Sequence, residues 1–79
     1  MSRQITVYST PFCVPCDRLK AYLRHQGVDF QVKDLLVEED AADRFEAMNI
    51  RSAPILEVDG EILFGPDLNL DNVDRVLGL

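Results

Sequence analysis

A chain of 79 residues with 47% hydrophobic content carries enough apolar side chain for one core and too little for two, so a single domain spanning residues 1–79 is expected. Its 14 acidic and 8 basic residues leave a net charge of −6, which argues against binding to a phosphate backbone and suits a soluble protein that meets basic surfaces on its partners. No apolar run approaches the roughly 18 residues of a membrane span. Met1-Ser2-Arg3-Gln4 leads straight into a strand without an export signal, so a cytoplasmic location is expected.

From Gln4 to Tyr8 the chain alternates and is rich in β-branched residues, which predicts a strand that Ser9-Thr10-Pro11 breaks. Leu19, Tyr22 and Leu23 then recur at helical spacing between Val14 and about Gln26, and Gly27 stands where a left-handed residue closes a helix. Arg18, Lys20, Arg24 and His25 lie in the body and end of that helix, where positive charge suits the dipole; His25 reads as an exposed neighbour of the cap rather than a base. Phe30-Gln31-Val32 predicts a second strand, and a right-handed crossover makes it parallel to the first.

Val37-Glu38-Glu39-Asp40 places acids at the start of a second helix whose apolar stripe is Ala41, Phe45 and Met48, ending near Asn49. After Arg51-Ser52-Ala53-Pro54, the runs Ile55–Val58 and Glu61–Phe64 flank Asp59-Gly60 in the pattern of a two-residue β-hairpin. Gly65-Pro66 punctuates, Asn69 or Asp71 can cap, and Leu70, Val73, Val76 and Leu77 predict a short amphipathic helix. The order β-α-β-α-β-β-α gives an α/β domain with a four-stranded mixed sheet and three helices.

Both cysteines fall between the first strand and the first helix, in Phe12-Cys13-Val14-Pro15-Cys16. With Cys13 at the helix N-cap and Cys16 at the third helical position, the free N–H groups and dipole of the first turn converge on the Cys13 sulfur. Surroundings of this kind lower a cysteine's pKa from about 8.5 towards 3.5–7.5, which makes Cys13 the expected nucleophile. Cys16 shares a stripe with Leu19 and Leu23, so its sulfur points inward, where it can resolve a mixed disulfide formed on Cys13. Pro15 suits the first turn, where no N–H is missed. A zinc site needs about four ligands; Cys13, Cys16 and His25 without a second C-x-x-C fall short, so no metal is expected. A disulfide between residues so close in sequence removes little unfolded-state entropy, so a purely structural role is disfavoured.

The element order, with Cys13-Val14-Pro15-Cys16 after the first strand and Ala53-Pro54 before the third, resembles the thioredoxin fold in its minimal form over essentially the whole chain. The size, the Tyr8-Ser9-Thr10-Pro11 lead-in, Val14 between the thiols and Arg51-Ser52-Ala53-Pro54 are most similar to glutaredoxins and the glutaredoxin-like NrdH-redoxins. That resemblance implies a dithiol-disulfide oxidoreductase acting on protein disulfides, with ribonucleotide reductase a candidate partner and the Cys13–Cys16 disulfide the redox-active centre, no cofactor being bound. It also implies that Pro54 is cis and faces the cysteines, while Ala53 offers its backbone to an extended substrate segment. Phe12, Val14, Pro15, Arg51, Gly65 and Asp67 complete the expected substrate surface, the substrate-facing reading of Phe12 being preferred to a core aromatic.

Electrons are expected from NADPH through a thioredoxin-reductase-type flavoenzyme in preference to glutathione. Between Tyr8 and Cys16 there is no Lys or Arg, Phe64 replaces one glycine of the pair that holds glutathione in the family, and the net charge of −6 repels an anion. Arg51 and Asp67 are the residues left to meet glutathione's carboxylate and amine. A monomer without nucleic-acid or membrane partners is expected. The competing reading is a non-catalytic redox-sensing or partner-binding module on the same fold.

Overall fold

Strand β1 (Ile5–Ser9) buries four of its five residues and lies inside the sheet, paired on both sides. The computed structural model describes residues 3–79, so the expected lead-in at Met1 and Ser2 lies outside the described residues. After β1 come α1 (Val14–His25), β2 (Gln31–Asp34), α2 (Glu39–Ala47), β3 (Ile55–Val58), β4 (Glu61–Phe64), a 3-10 turn (Gly65–Asp67) and α3 (Leu70–Leu77). The strand order is β2-β1-β3-β4, with β1 parallel to β2 and antiparallel to β3, and β3 antiparallel to β4. Val7 stands opposite Val32 on one side and Leu56 on the other, and Leu56 in turn faces Leu63. The hairpin forms where it was expected: Asp59 (φ 51) and Gly60 (φ 92) are both left-handed, a pairing whose twist matches that of the flanking strands.

Alternation along the strands sorts side chains onto two faces. Ile5, Val7, Leu56, Val58 and Leu63 meet Leu19 and Leu23 of α1 and Val73 and Leu77 of α3 in the larger cluster. On the opposite face Tyr8 and Ile55 meet Phe45 of α2 and Ile50. Each fully buried side chain of this size contributes about 1.5–3 kcal/mol. Polar contacts fasten α2 as well: the Tyr8 hydroxyl donates to Glu57 Oε1 (3.0 Å), and Arg44 Nη2 reaches both Glu57 Oε1 (3.1 Å) and the Tyr8 hydroxyl (3.3 Å). This is the expected α/β architecture, a minimal thioredoxin fold.

Three local readings differ. β2 begins at Gln31 rather than Phe30 and runs on to Asp34, because Phe30 turns in against the larger cluster while the parallel ladder follows β1 to Ser9. Met48 is not part of the buried stripe; α2 stops at Ala47, Asn49 turns left-handed (φ 62), and Ile50 takes the inward position. Leu70 opens α3 with 58% of its surface exposed, while Val73 and Leu77 carry the packing.

Candidate active site

Helix α1 starts at Cys13, an N-cap in extended conformation (φ −103, ψ 104), and its Sγ accepts the Cys16 N–H at 3.1 Å. Pro15 sits within the first turn without leaving a donor missing. The helical periodicity that buries Leu19 and Leu23 also draws Cys16 inward, to 1% exposure, while Cys13 stays half-buried at the surface. The two sulfurs are joined in a disulfide, with their Cα atoms 5.2 Å apart.

Phe12 brings the chain from the end of β1 to the head of α1 through a left-handed conformation (φ 59), and its side chain is fully exposed, at 106% of the reference area. It is therefore not a core residue. Val14 is exposed beside it. The Ala53–Pro54 bond is cis, with Pro54 buried and Ala53 half-buried.

Ser52 and Ala53 form a ridge between two grooves. The first, of about 540 Å³, runs between α1 and α3 and is walled by Pro15, Arg18, Tyr22, Pro54, Leu68 and Leu70; Gly65 also borders it. The second, of about 350 Å³, lies towards α2 and is bordered by Thr10, Phe45, Glu46, Ile50 and Arg51. Asp67 borders neither groove; its side chain is exposed and its carbonyl accepts from Asn72 Nδ2 at 2.8 Å. The Tyr22 hydroxyl donates to Asp74 Oδ1, tying α1 to α3.

Ion pairs among the described residues join Lys20 to Asp17 (3.3 Å), Arg44 to Glu57 (3.1 Å) and Arg75 to Glu61 (2.8 Å). Arg18 and Arg51 take part in none of them. Burial, followed by the hydrogen bond to Glu57, pushes the Tyr8 hydroxyl above its usual range, and the hydrogen bond to Asp74 does the same for Tyr22.

Of the residues expected from sequence, Cys13, Cys16, Phe12, Val14, Pro15, Ala53, Pro54 and Gly65 gather at one end of the sheet, and Arg51 borders the groove beside them. Arg18, Tyr22, Leu68 and Leu70 were not anticipated there. Their signal was present in part, since Pro15, Arg18 or Leu19, and Tyr22 follow the 3–4 spacing of one helix face.

A cysteine pair with one sulfur at a helix N-cap and the other shielded one turn inside, in a fold with a cis proline just before β3, defines a thiol-disulfide oxidoreductase of the thioredoxin fold. The family model described as Glutaredoxin matches residues 5–63, and the chain belongs to the glutaredoxin family. It is 32% identical over 76 residues to an uncharacterized glutaredoxin-like 8.6 kDa protein in the rubredoxin operon of Clostridium pasteurianum, covering 92% of this chain and 96% of that one. It is also 31% identical over 52 residues to the glutaredoxin-like protein NrdH of Salmonella typhimurium, covering 66% of this chain and 64% of the other. Among solved structures, the glutaredoxin-like NrdH-redoxin from Escherichia coli superposes with a TM-score of 0.81 at 25% identity over 91% of this chain and 92% of its own. The thioredoxin-like protein BC3987 gives 0.78 at 27% identity over 92% and 99%.

Proposed function

We propose that residues 1–79 act as a single monomeric domain that reduces protein disulfides, Cys13 attacking and Cys16 resolving. In the first step the Cys13 thiolate attacks a substrate sulfur, forming a Cys13–substrate disulfide and expelling the other substrate sulfur as a thiolate. In the second, Cys16 loses its proton to solvent and attacks Cys13 Sγ, expelling the remaining substrate thiolate and closing the Cys13–Cys16 disulfide. Two electrons pass to the substrate, and the protein is left oxidised. The observation that carries this reading is the asymmetry of the pair: Cys13 Sγ faces the first-turn N–H of Cys16 at 3.1 Å, whereas Cys16 is 1% exposed. Phe12 and Val14 form the apolar contact around the exchange, and the Ala53 backbone holds the substrate segment between Pro15, Pro54 and Gly65 on one side and Arg51 on the other.

NADPH through a thioredoxin-reductase-type flavoenzyme restores the dithiol in preference to glutathione. The side chain at Phe64 where the family has a glycine, and the placement of Asp67 outside both grooves, support this choice. The thioredoxin-like activity profile of the Escherichia coli NrdH-redoxin points the same way. Ribonucleotide reductase is one substrate to be tried, and the cytoplasm, where thiols are kept reduced, is the place for such a donor.

The test uses Cys16→Ser and Cys13→Ser with insulin as the disulfide substrate. Cys16→Ser accumulates a mixed disulfide through Cys13, visible on non-reducing gels, and Cys13→Ser forms none. Wild-type protein that neither turns over insulin nor is re-reduced by any donor would instead favour the non-catalytic module. Parallel recycling with the flavoenzyme and with glutathione plus its reductase decides the electron source; faster recycling by glutathione would overturn that choice.

A further inference from the structure

Two grooves flank Ala53, and each carries an arginine that joins no ion pair among the described residues: Arg18 in the wall between α1 and α3, Arg51 on the side towards α2. Both side chains are exposed. In a chain of net charge −6 these cations stand out by their position, because Glu39, Asp40 and Asp43, exposed along α2, border neither groove. Glu46 borders the second groove and offsets part of the Arg51 charge, whereas the neighbours of Arg18 in the first groove are mostly apolar, including Leu19, Leu68, Leu70 and Val73. Arg18 is thus the stronger of the two. Successive side chains of an extended segment point to opposite sides. A segment lying along Ala53 with its cysteine at Cys13 therefore directs the next two side chains into different grooves.

We propose that Arg18 and Arg51 select disulfide substrates whose reactive cysteine is flanked by acidic side chains, the partner being an extended acidic segment of a protein. This rests on the dithiol reading above and adds a substrate class to it. A glutamate suits the first groove well, since its aliphatic stem lies against the leucines while its carboxylate reaches Arg18. An arginine guanidinium presents a planar fork of donors matched to a carboxylate, which a single hydroxyl or amide does not use as fully. The selectivity is electrostatic, so it is carried by the rate of productive encounter and weakens with salt.

The experiment follows single-turnover reduction of homodimeric peptide disulfides by the dithiol protein, with released peptide thiol measured by chromatography. The peptides are identical except that both residues after the cysteine are Glu, Gln or Lys. The homodimer makes the two sulfurs equivalent, so the same products arise whichever is attacked. Exposed ion pairs being worth little individually, wild type is expected to prefer the Glu peptide over the Lys peptide by about three- to tenfold. Arg18→Glu and Arg51→Glu each lower that ratio, the double variant inverts it, and Lys33→Glu on β2, which changes net charge equally but borders neither groove, leaves it near the wild-type value. The preference also collapses in about 1 M salt, where the screening length is near 3 Å. Using a ratio within each variant removes any general loss of folded protein. Equal rates for the three peptides in wild type, or a ratio that follows net charge in Lys33→Glu as strongly as in Arg18→Glu, would overturn the selection while leaving the dithiol chemistry standing. Release from none of the peptides would remove the dithiol reading and the selection with it.

Discussion

Phe12 is held in a left-handed backbone (φ 59) with its ring wholly in solvent, two features that disfavour it in the isolated protein. A non-glycine residue there costs about 1 kcal/mol or somewhat more, and nothing in the fold is gained from the ring. Replacing it by glycine removes the strain but adds unfolded-chain freedom worth about 0.5–1 kcal/mol, so Phe12→Gly should melt at or slightly above the wild-type temperature. Function should move the other way. A phenylalanine side chain offers roughly 150–250 Å², and a docking protein that covers half of it buries about 100 Å², worth about 2.5 kcal/mol at 25 cal/mol per Å². Ordering of the contact takes back part of that, and a remaining effect of about 1.4 kcal/mol is tenfold in kcat/KM.

The assay compares insulin with hydroxyethyl disulfide for the wild type and Phe12→Gly. The small disulfide barely reaches beyond Cys13, so the ratio of the two kcat/KM values is the readout, and it should fall about tenfold. An unchanged ratio would show that the exposed ring is not a partner contact. A melting temperature lowered by more than a few degrees would show that the ring packs on the fold in solution, contrary to the exposure seen here.

Alkaline stability should report both tyrosines. Each has its hydroxyl held above the ordinary value of 10.0, Tyr8 by burial first and Tyr22 by its bond to Asp74 first. The folded protein therefore retains protons that the unfolded chain releases above 10.0, so this stabilisation is complete below that pH and is lost as pH rises through the folded values. Urea midpoints across the alkaline range should fall accordingly, with a shallower fall in Tyr22→Phe; identical slopes in the two proteins would contradict it. Asn69→Ala tests the wall of the first groove: Asn69 Oδ1 accepts the Asn72 N–H at 2.9 Å and its Nδ2 donates to the Pro66 carbonyl at 3.2 Å. Loss of the cap should cost about 1 kcal/mol and lower the melting temperature by about 4–8 °C; no shift in thermal melts would mean that the cap is not formed.

Much of the fold was legible because its signals are local. The Asp59-Gly60 dipeptide carries its own turn geometry, Gly27 (φ 73) closes α1 as its position suggested, and Cys16, Leu19 and Leu23 follow one helical stripe into the core. The misreadings occur where tertiary packing decides. Met48 continues the apolar spacing of α2, yet the helix ends because a left-handed turn at Asn49 hands the buried position to Ile50. Phe30 resembles a strand residue, yet packs below the sheet before pairing begins.

The grooves themselves could not be read from the chain, since their walls come from segments far apart in sequence. Pro15, Arg18 and Tyr22 meet Leu68, Leu70 and Val73 only after α1 and α3 pack on the same sheet face, and the contact that joins them, Tyr22 to Asp74, spans 52 positions. The same holds for the electrostatics. A total of −6 suggested repulsion of any anion, but surface charges act over only about 8 Å at physiological salt, and the cations that border the two grooves at Ala53 are Arg18 and Arg51. Net charge is therefore a poor guide to the field at the thiols. In the reading proposed above it is shape that counts against glutathione: the side chain of Phe64, and an Asp67 that borders neither groove. A protein segment needs neither of those features. On the proposed reading it docks by its backbone along Ala53, its apolar contacts with Phe12 and Val14, and acidic side chains on the two arginines, so that one surface would select acidic protein substrates while remaining a weak site for an acidic tripeptide.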